Sequence, residues 1–269
     1  MYGSSYEDYL TVYTDEPGYS ETGYVQPRQN VNGSYLDMTV DWDQSENVEL
    51  VFYYFTRSET HRVFALVNGH MLRDPVIFNP QTEPGTWNTA HIIAPLNAGE
   101  NVIRLVSGTV TGLPNIDKLE IYETSESPSF PDPAPVEQPG TLWCEPSTIQ
   151  TGPGTFTHEV YLNTGTQSVG NCRIFMIYDK GMVTVIDTTN EAENLNLNGA
   201  GFLFGCYRMT SHVSDSVTPG TGLHILTLTW EALAPGTTEI NFYVEALEDE
   251  TGNIIGEPGG YGIEIIISE

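Results

Sequence analysis

Lysine is nearly missing from this chain, whose 269 residues hold two lysines and seven arginines against 36 Asp and Glu, for a formal net charge of −27. Proteins that neutralise phosphates need clustered Lys and Arg, so nucleic acid is excluded as an electrostatic partner, and an anionic membrane surface with it. Cysteine is scarce as well: Cys144, Cys172 and Cys206 permit at most one internal bridge, too few for a disulfide framework. No apolar run approaches the roughly 20 residues of a membrane helix, so no membrane insertion is expected. The polar stretch Tyr2 to Tyr9 lacks the hydrophobic run of a secretory leader. Catalytic signatures are missing too. No phosphate-cradling glycine loop, no His-Glu-x-x-His pair and no Gly-x-Ser-x-Gly elbow occurs, and the six histidines show no metal spacing. The chain is read as non-catalytic, not an enzyme.

What is present is a folding composition. Apolar residues make up 39% and aromatic residues 11%, which separates the chain from disordered acidic sequences, while 26 Gly and 17 Pro leave little room for long helices. The length predicts about two domains. Their boundary shows in residues 124–140, where Pro128, Pro131, Pro133, Pro135 and Pro139 alternate with Ser, Asp and Glu in the manner of an extended linker. Before it lie 17 acidic and 6 basic residues, and after it 16 acidic and 3 basic, so both domains are acidic.

Short, regularly spaced strands are predicted throughout. In domain 1–123, Leu36, Met38 and Val40 alternate with polar residues. Glu49 to Phe55 forms a dense apolar run, and Asn68-Gly69 marks a tight hairpin. In domain 141–269, strands are predicted at Thr155 to Leu162, Arg173 to Tyr178, Met182 to Asp187, Leu223 to Trp230, Thr238 to Leu247 and Tyr261 to Ser268. Asn190 to Leu197 has the one helical pattern, Gly199 to Tyr207 reads as a strand or loop, and Asp249-Glu250 beside Gly252-Asn253 reads as a turn with calcium as an outside reading. The fold class is all-β: two β-sandwich (jelly-roll) domains in tandem joined by a Pro-rich linker.

Three stretches of the first domain resemble the β-sandwich carbohydrate-binding modules of families 6 and 35. They are Gly18-Tyr19-Ser20-Glu21-Thr22-Gly23-Tyr24-Val25, in which Glu21 departs from a family glycine; Phe64-Ala65-Leu66-Val67-Asn68-Gly69; and the closing half with Trp87, Leu96 to Leu105 and Asn115-Ile116-Asp117-Lys118-Leu119. The resemblance implies that the domain binds a polysaccharide or glycan. Trp87 and Asn115 would be contact residues, with Tyr19 or Tyr24 as a second aromatic. Sugar recognition needs just such a flat apolar ring and a planar amide. The competing reading caps the core with Trp87 and buries Tyr24 with its hydroxyl bonded. The resemblance also implies a structural calcium, with Asp117 as one ligand. The other carboxylate would come from the opening strand, where Glu7 and Asp8 lie closer to the Gly-Tyr-Ser turn than the family's carboxylates do. A shortened opening strand would leave an open sheet edge that a second copy of the chain could fill.

Residues 141–269 resemble cohesins and their cellulose-binding relatives, on Gly154-Thr155-Phe156, Phe175-Met176-Ile177-Tyr178-Asp179, Leu226-Thr227-Leu228-Thr229-Trp230 and Gly262-Ile263-Glu264-Ile265-Ile266-Ile267. That resemblance implies a dockerin-like protein partner. Cys172 and Cys206 are candidates for a disulfide, with a buried thiol as the equal alternative, and Asn32-Gly33-Ser34 is an N-glycosylation sequon. These features predict an extracellular or cell-surface protein that tethers a surface or complex to polysaccharide. The alternative is a filament subunit that donates its strand around Ser4 to Thr14 to a neighbouring copy.

Overall fold

The structure, a computed structural model, describes residues 2–3, 11–27, 34–72, 74–81, 85–108, 112–128, 137–200, 205–213 and 217–269. The chain divides into two compact units, Met1–Phe130 and Pro131–Glu269, and the division falls inside the Pro-rich stretch. Glu7 and Asn32, together with residues 129–136 of that stretch, lie outside the described residues.

The first unit is built from β1 (Tyr2–Gly3), β2 (Thr11–Tyr13), β3 (Tyr24–Gln26), β4 (Tyr35–Trp42), β5 (Glu46–Phe55), β6 (His61–Val67), β7 (His70–Met71), β8 (Val76–Phe78), β9 (Asn88–Leu96), β10 (Gly99–Ser107) and β11 (Asn115–Glu123). One sheet runs β1-β4-β10-β6-β7 with β8 beside β6, and the other runs β2-β3-β11-β5-β9. Alternate side chains of both sheets meet in one core. Leu36 and Met38 of β4 and Val63, Ala65 and Val67 of β6 face Val48, Leu50, Phe52 and Tyr54 of β5. The predicted tight turn is present: Asn68 and Gly69 both take positive φ, at 52° and 88°. The Asn68 side chain also accepts the Val102 N–H at 2.9 Å, tying the hairpin tip to β10. Strand β9 lacks a clear period in sequence and holds Pro95, which fits the sheet edge where it lies.

Of the opening segment, β2 pairs within its own chain. Thr11, Val12 and Tyr13 lie opposite Gln26, Val25 and Tyr24 of β3. Of the segment the filament alternative would donate, Thr11–Tyr13 pair with β3 of the same chain, and Ser4 to Leu10 lie outside the described residues. The pairing also explains one glycine of the turn motif. Gly23 has φ 148°, and a Cβ there would lie 2.6 Å from the Tyr13 carbonyl oxygen and 2.7 Å from a Val12 methyl.

The second unit holds β12 (Thr141–Glu145), β13 (Thr148–Thr151), β14 (Gly154–Leu162), β15 (Val169–Tyr178), β16 (Val183–Asn190), β17 (Leu195–Ala200), β18 (Cys206–Val213), β19 (Leu223–Ala232), β20 (Gly236–Asp249), β21 (Gly259–Gly260) and β22 (Ile263–Ile267). Its sheets run β16-β19-β14-β12-β21 and β13-β22-β20-β15-β18-β17. Trp230 sits fully buried between them, edge-on to Tyr178 at 4.9 Å and stacked on His158 at 5.9 Å.

Two expectations are corrected here and one turn is as expected. Asn190 to Leu197 is not helical: β16 ends at Asn190, and Leu195 opens β17, which pairs with β18. Asn190 closes that connection, its Oδ1 accepting the Leu197 N–H at 2.8 Å. Cys172 and Cys206 do not pair. They lie on neighbouring strands, but Cys206 is opposite Ile177, five residues along β15 from Cys172, so their backbones are about 16 Å apart. A bridge needs Cα atoms within roughly 7 Å, and Cys172 is a free, buried thiol. At 249–253 the expected turn is present, with Asp249 at its centre. Its Oδ1 accepts from Thr251 N at 2.9 Å, Thr251 Oγ1 at 2.7 Å and Asn253 N at 2.9 Å, which closes the turn and pulls its pKa well below the usual carboxylate range, with the Thr251 hydroxyl as the largest cause.

Candidate functional site

A cleft of about 410 Å³ opens at one end of the first sandwich. Its floor is the start of β11, Pro114 and Asn115, beside the end of β5 and the following turn, Phe55 to Glu59. Its rim comes from the β2–β3 connection, Asp15 and Glu16, with Tyr24 and Gln26 of β3 and His61 of β6 completing it. Sheet pairing brings these residues together: Asn115 lies directly opposite Phe55, and Ile116 opposite both Tyr54 and Val25.

Asn115 is only 7% exposed, and its side-chain oxygen has no hydrogen-bond partner. A buried acceptor left unpaired costs roughly 1–3 kcal/mol, so it marks a position where a donor from outside would be accommodated. His61 supports the floor. It is buried, with Nδ1 2.8 Å from the Gly112 carbonyl oxygen and Nε2 2.9 Å from the Thr56 hydroxyl. Arg57 extends from the rim, donates to Glu16, and lies 5.9 Å over the Phe55 ring.

The aromatic expectations divide. Tyr24 is buried, and its hydroxyl donates to Asp15 Oδ1 at 2.7 Å. Burial first, and the bond to Asp15 second, push the pKa of this phenol well up. Tyr24 therefore lines the cleft as a fixed wall. Trp87 is half-buried beside that wall, 5.3 Å from the Tyr24 ring and 5.7 Å from Phe55, and its Nε1 donates to the Pro17 carbonyl at 3.1 Å. Tyr19, also half-buried, packs against Tyr24 at 6.2 Å. So Asn115 and Tyr24 line the cleft, while Trp87 and Tyr19 buttress Tyr24.

Asp117 ties the neighbouring turn to the sheet. Both of its oxygens accept the Ser20 N–H at 3.0 Å, and Oδ1 also accepts the Ser20 hydroxyl at 3.1 Å. The carboxylate thus clamps the Gly-Tyr-Ser turn onto β11, two residues from Asn115. Among the described residues, no group of three or more His, Cys, Asp or Glu side chains is arranged to hold a metal ion. The residues that sequence reading missed are Asp15, Glu16, Arg57 and Glu59. Each is an ordinary charged residue in a turn, and only the meeting of two loops makes them neighbours. The spacing of Asp15-Glu16 just ahead of Gly18-Tyr19-Ser20 was the one signal available.

These features define two all-β units in tandem, each a two-sheet sandwich. No protein-family profile matches the chain. Among solved structures it is similar to a family 35 carbohydrate-binding module from Clostridium thermocellum, at 28% identity and a TM-score of 0.41, covering 46% of this chain and 92% of that one. It is also similar to a non-cellulosomal cohesin from Archaeoglobus fulgidus, at 11% identity and a TM-score of 0.39, covering 48% of this chain and 91% of that one. Among curated proteins, 111 residues are 32% identical to an exo-β-D-glucosaminidase of Amycolatopsis orientalis, spanning 41% of this chain and 11% of that enzyme. A further 29% identity over 113 residues relates it to endo-1,4-β-xylanase B of Cellvibrio japonicus, spanning 41% of this chain and 19% of the enzyme. The chain thus spans less than a fifth of the length of these curated relatives. Among the described residues, no helix is long and apolar enough to cross a membrane.

Proposed function

We propose that the first unit is a non-catalytic carbohydrate-binding module whose ligand enters the cleft over Asn115. The carrying observation is the buried, unpartnered Asn115 oxygen at the cleft floor beside an aromatic wall. A sugar presents hydroxyl donors at the spacing of such polar groups and apolar C–H surface toward rings. The relatives that share 29–32% identity with this chain are named for acting on carbohydrates, which supports the same reading. In this proposal the second unit, by its resemblance to cohesins, attaches the chain to a dockerin-like protein outside the cell, so that the whole tethers a surface or complex to polysaccharide. A structural calcium belongs to the proposal as well, with Asp117 and Glu7 as its ligands by resemblance. Chelation tests it: an unchanged melting temperature in EDTA removes calcium from the picture.

Affinity electrophoresis of the full chain in gels containing a panel of polysaccharides tests the binding. Wild type should be retarded by at least one of them, and Asn115→Ala should lose about tenfold or more of that affinity. Its melting temperature should hold or rise, because the substitution also removes an unpaired buried acceptor. Equal retardation of wild type and Asn115→Ala would remove Asn115 from the site.

A further inference from the structure

We infer that the ligand of this cleft is an amine-bearing sugar, a β-linked glucosamine chain being the simplest case, rather than a neutral or uronic acid one. This rests on the carbohydrate-binding reading above. Among the described residues, the cleft is lined by three carboxylates, Asp15, Glu16 and Glu59, and one guanidinium, Arg57. Arg57 donates to Glu16, so its positive charge is matched inside the rim and, among the described residues, two carboxylate charges are left over. The floor adds an acceptor and no charge: Asn115 is buried, and its Oδ1 lacks a partner. A site with surplus acceptors and negative charge is complementary to a ligand that brings N–H donors and positive charge. An ammonium group supplies both, whereas a uronate would bring a third uncompensated negative charge into the cleft of a unit already rich in acid. Acetylation of the amine removes the charge and leaves a single N–H.

Glu59 is the sharpest probe. It is exposed on the rim, and its part in the fold is a backbone one, its carbonyl accepting the Thr56 hydroxyl at 3.1 Å. Glu59→Gln should therefore keep the fold while lowering the surplus charge. Calorimetric titration of the full chain with fully deacetylated glucosamine tetramer, its N-acetylated counterpart and a glucuronate-bearing tetramer, each in EDTA and in calcium, reads the selectivity directly. The deacetylated tetramer should bind about tenfold more tightly than the acetylated one, and lose most of that margin in about 0.5 M salt. Glu59→Gln should weaken it about two- to fivefold without affecting a neutral sugar. Equal affinity for acetylated and deacetylated tetramers, or preference for the uronate in calcium, overturns the amine assignment and leaves the carbohydrate-binding reading standing. Binding of none of the tested sugars, with the panel of polysaccharides also negative, overturns both.

Discussion

Asn115 and Glu21 show how single residues in this protein accept a local cost. The Asn115 oxygen is unpaired by the protein in a buried position, a cost that a donor from outside the chain relieves. Glu21 takes φ 53°, in the left-handed region, at the point of the Gly-Tyr-Ser turn where the family resemblance places a glycine. An L-residue there costs roughly 1–2 kcal/mol, of which a glycine recovers part after its own larger chain entropy. Glu21→Gly should therefore stabilise the first unit by about 0.5–1 kcal/mol, read as a rise of a few degrees in its melting transition. A fall in that transition would mean that the Glu21 side chain contributes more than its backbone strain takes away. At this scale the sequence was informative where a residue type is demanding. The Asn-Gly pair at 68–69 and the glycines of the turn could be read directly, because positive φ and close approach admit few alternatives. Asp15, Glu16, Arg57 and Glu59 could not be read, since a charged residue in a turn is ordinary until its neighbours are known.

At the scale of elements, β2 is the informative strand. Its three residues are exposed, with Val12 61% accessible, yet they hold the edge of the β2-β3-β11-β5-β9 sheet and pass directly over Gly23. Gly23→Ala would place a methyl group against the Tyr13 carbonyl and force the strand away. It should destabilise the first unit by about 1–3 kcal/mol and remove hydrogen-exchange protection from Val12 and Tyr13 before the rest of the sheet. Unchanged protection would show that β2 gives way without loss of its ladder. Strands with a clear alternation, such as β4 and β14, were legible in the sequence. Strands β9 and β17 were not, for different reasons: β9 carries Pro95 at a sheet edge, and Leu195–Ala200 alternates Leu with Asn in a run short enough to pass for the end of a helix turn.

For the molecule as a whole, stability toward acid is set in part by the second unit's core. His158 is buried, Trp230 Nε1 donates to its Nδ1 at 3.2 Å, and its Nε2 has no partner. Burial holds its pKa down at about 3, against an ordinary 6.5. The folded state therefore binds fewer protons than the unfolded state between these values. The contribution is complete above about pH 6.5 and is lost as pH falls toward about 3, at up to about 1.4 kcal/mol per pH unit. His158→Gln keeps an acceptor near Trp230 but cannot take up a proton. Denaturant unfolding of the second unit between about pH 4.5 and 6.5 should show a shallower decline in the variant. Parallel declines in the two proteins would assign the acid sensitivity to carboxylates instead.

Composition and pattern alone determined that this is an acidic, two-part, all-β chain with no electrostatic claim on nucleic acid. Strand alternation and net charge are properties of the sequence itself, which no packing can reverse. The motif resemblance pointed to Trp87, Asn115, Tyr19 and Tyr24, of which Asn115 and Tyr24 line the cleft. Tertiary structure decided the rest. It packed Trp87 and Tyr19 against Tyr24, set Asp117 on Ser20, and separated Cys172 from Cys206 by the register of two strands. It also gathered four scattered charges around one unpaired amide. Each of these outcomes depends on which strands pair and in what register. A single-residue shift in pairing moves every side chain to the opposite face, so no count of residue types along the chain could have fixed them.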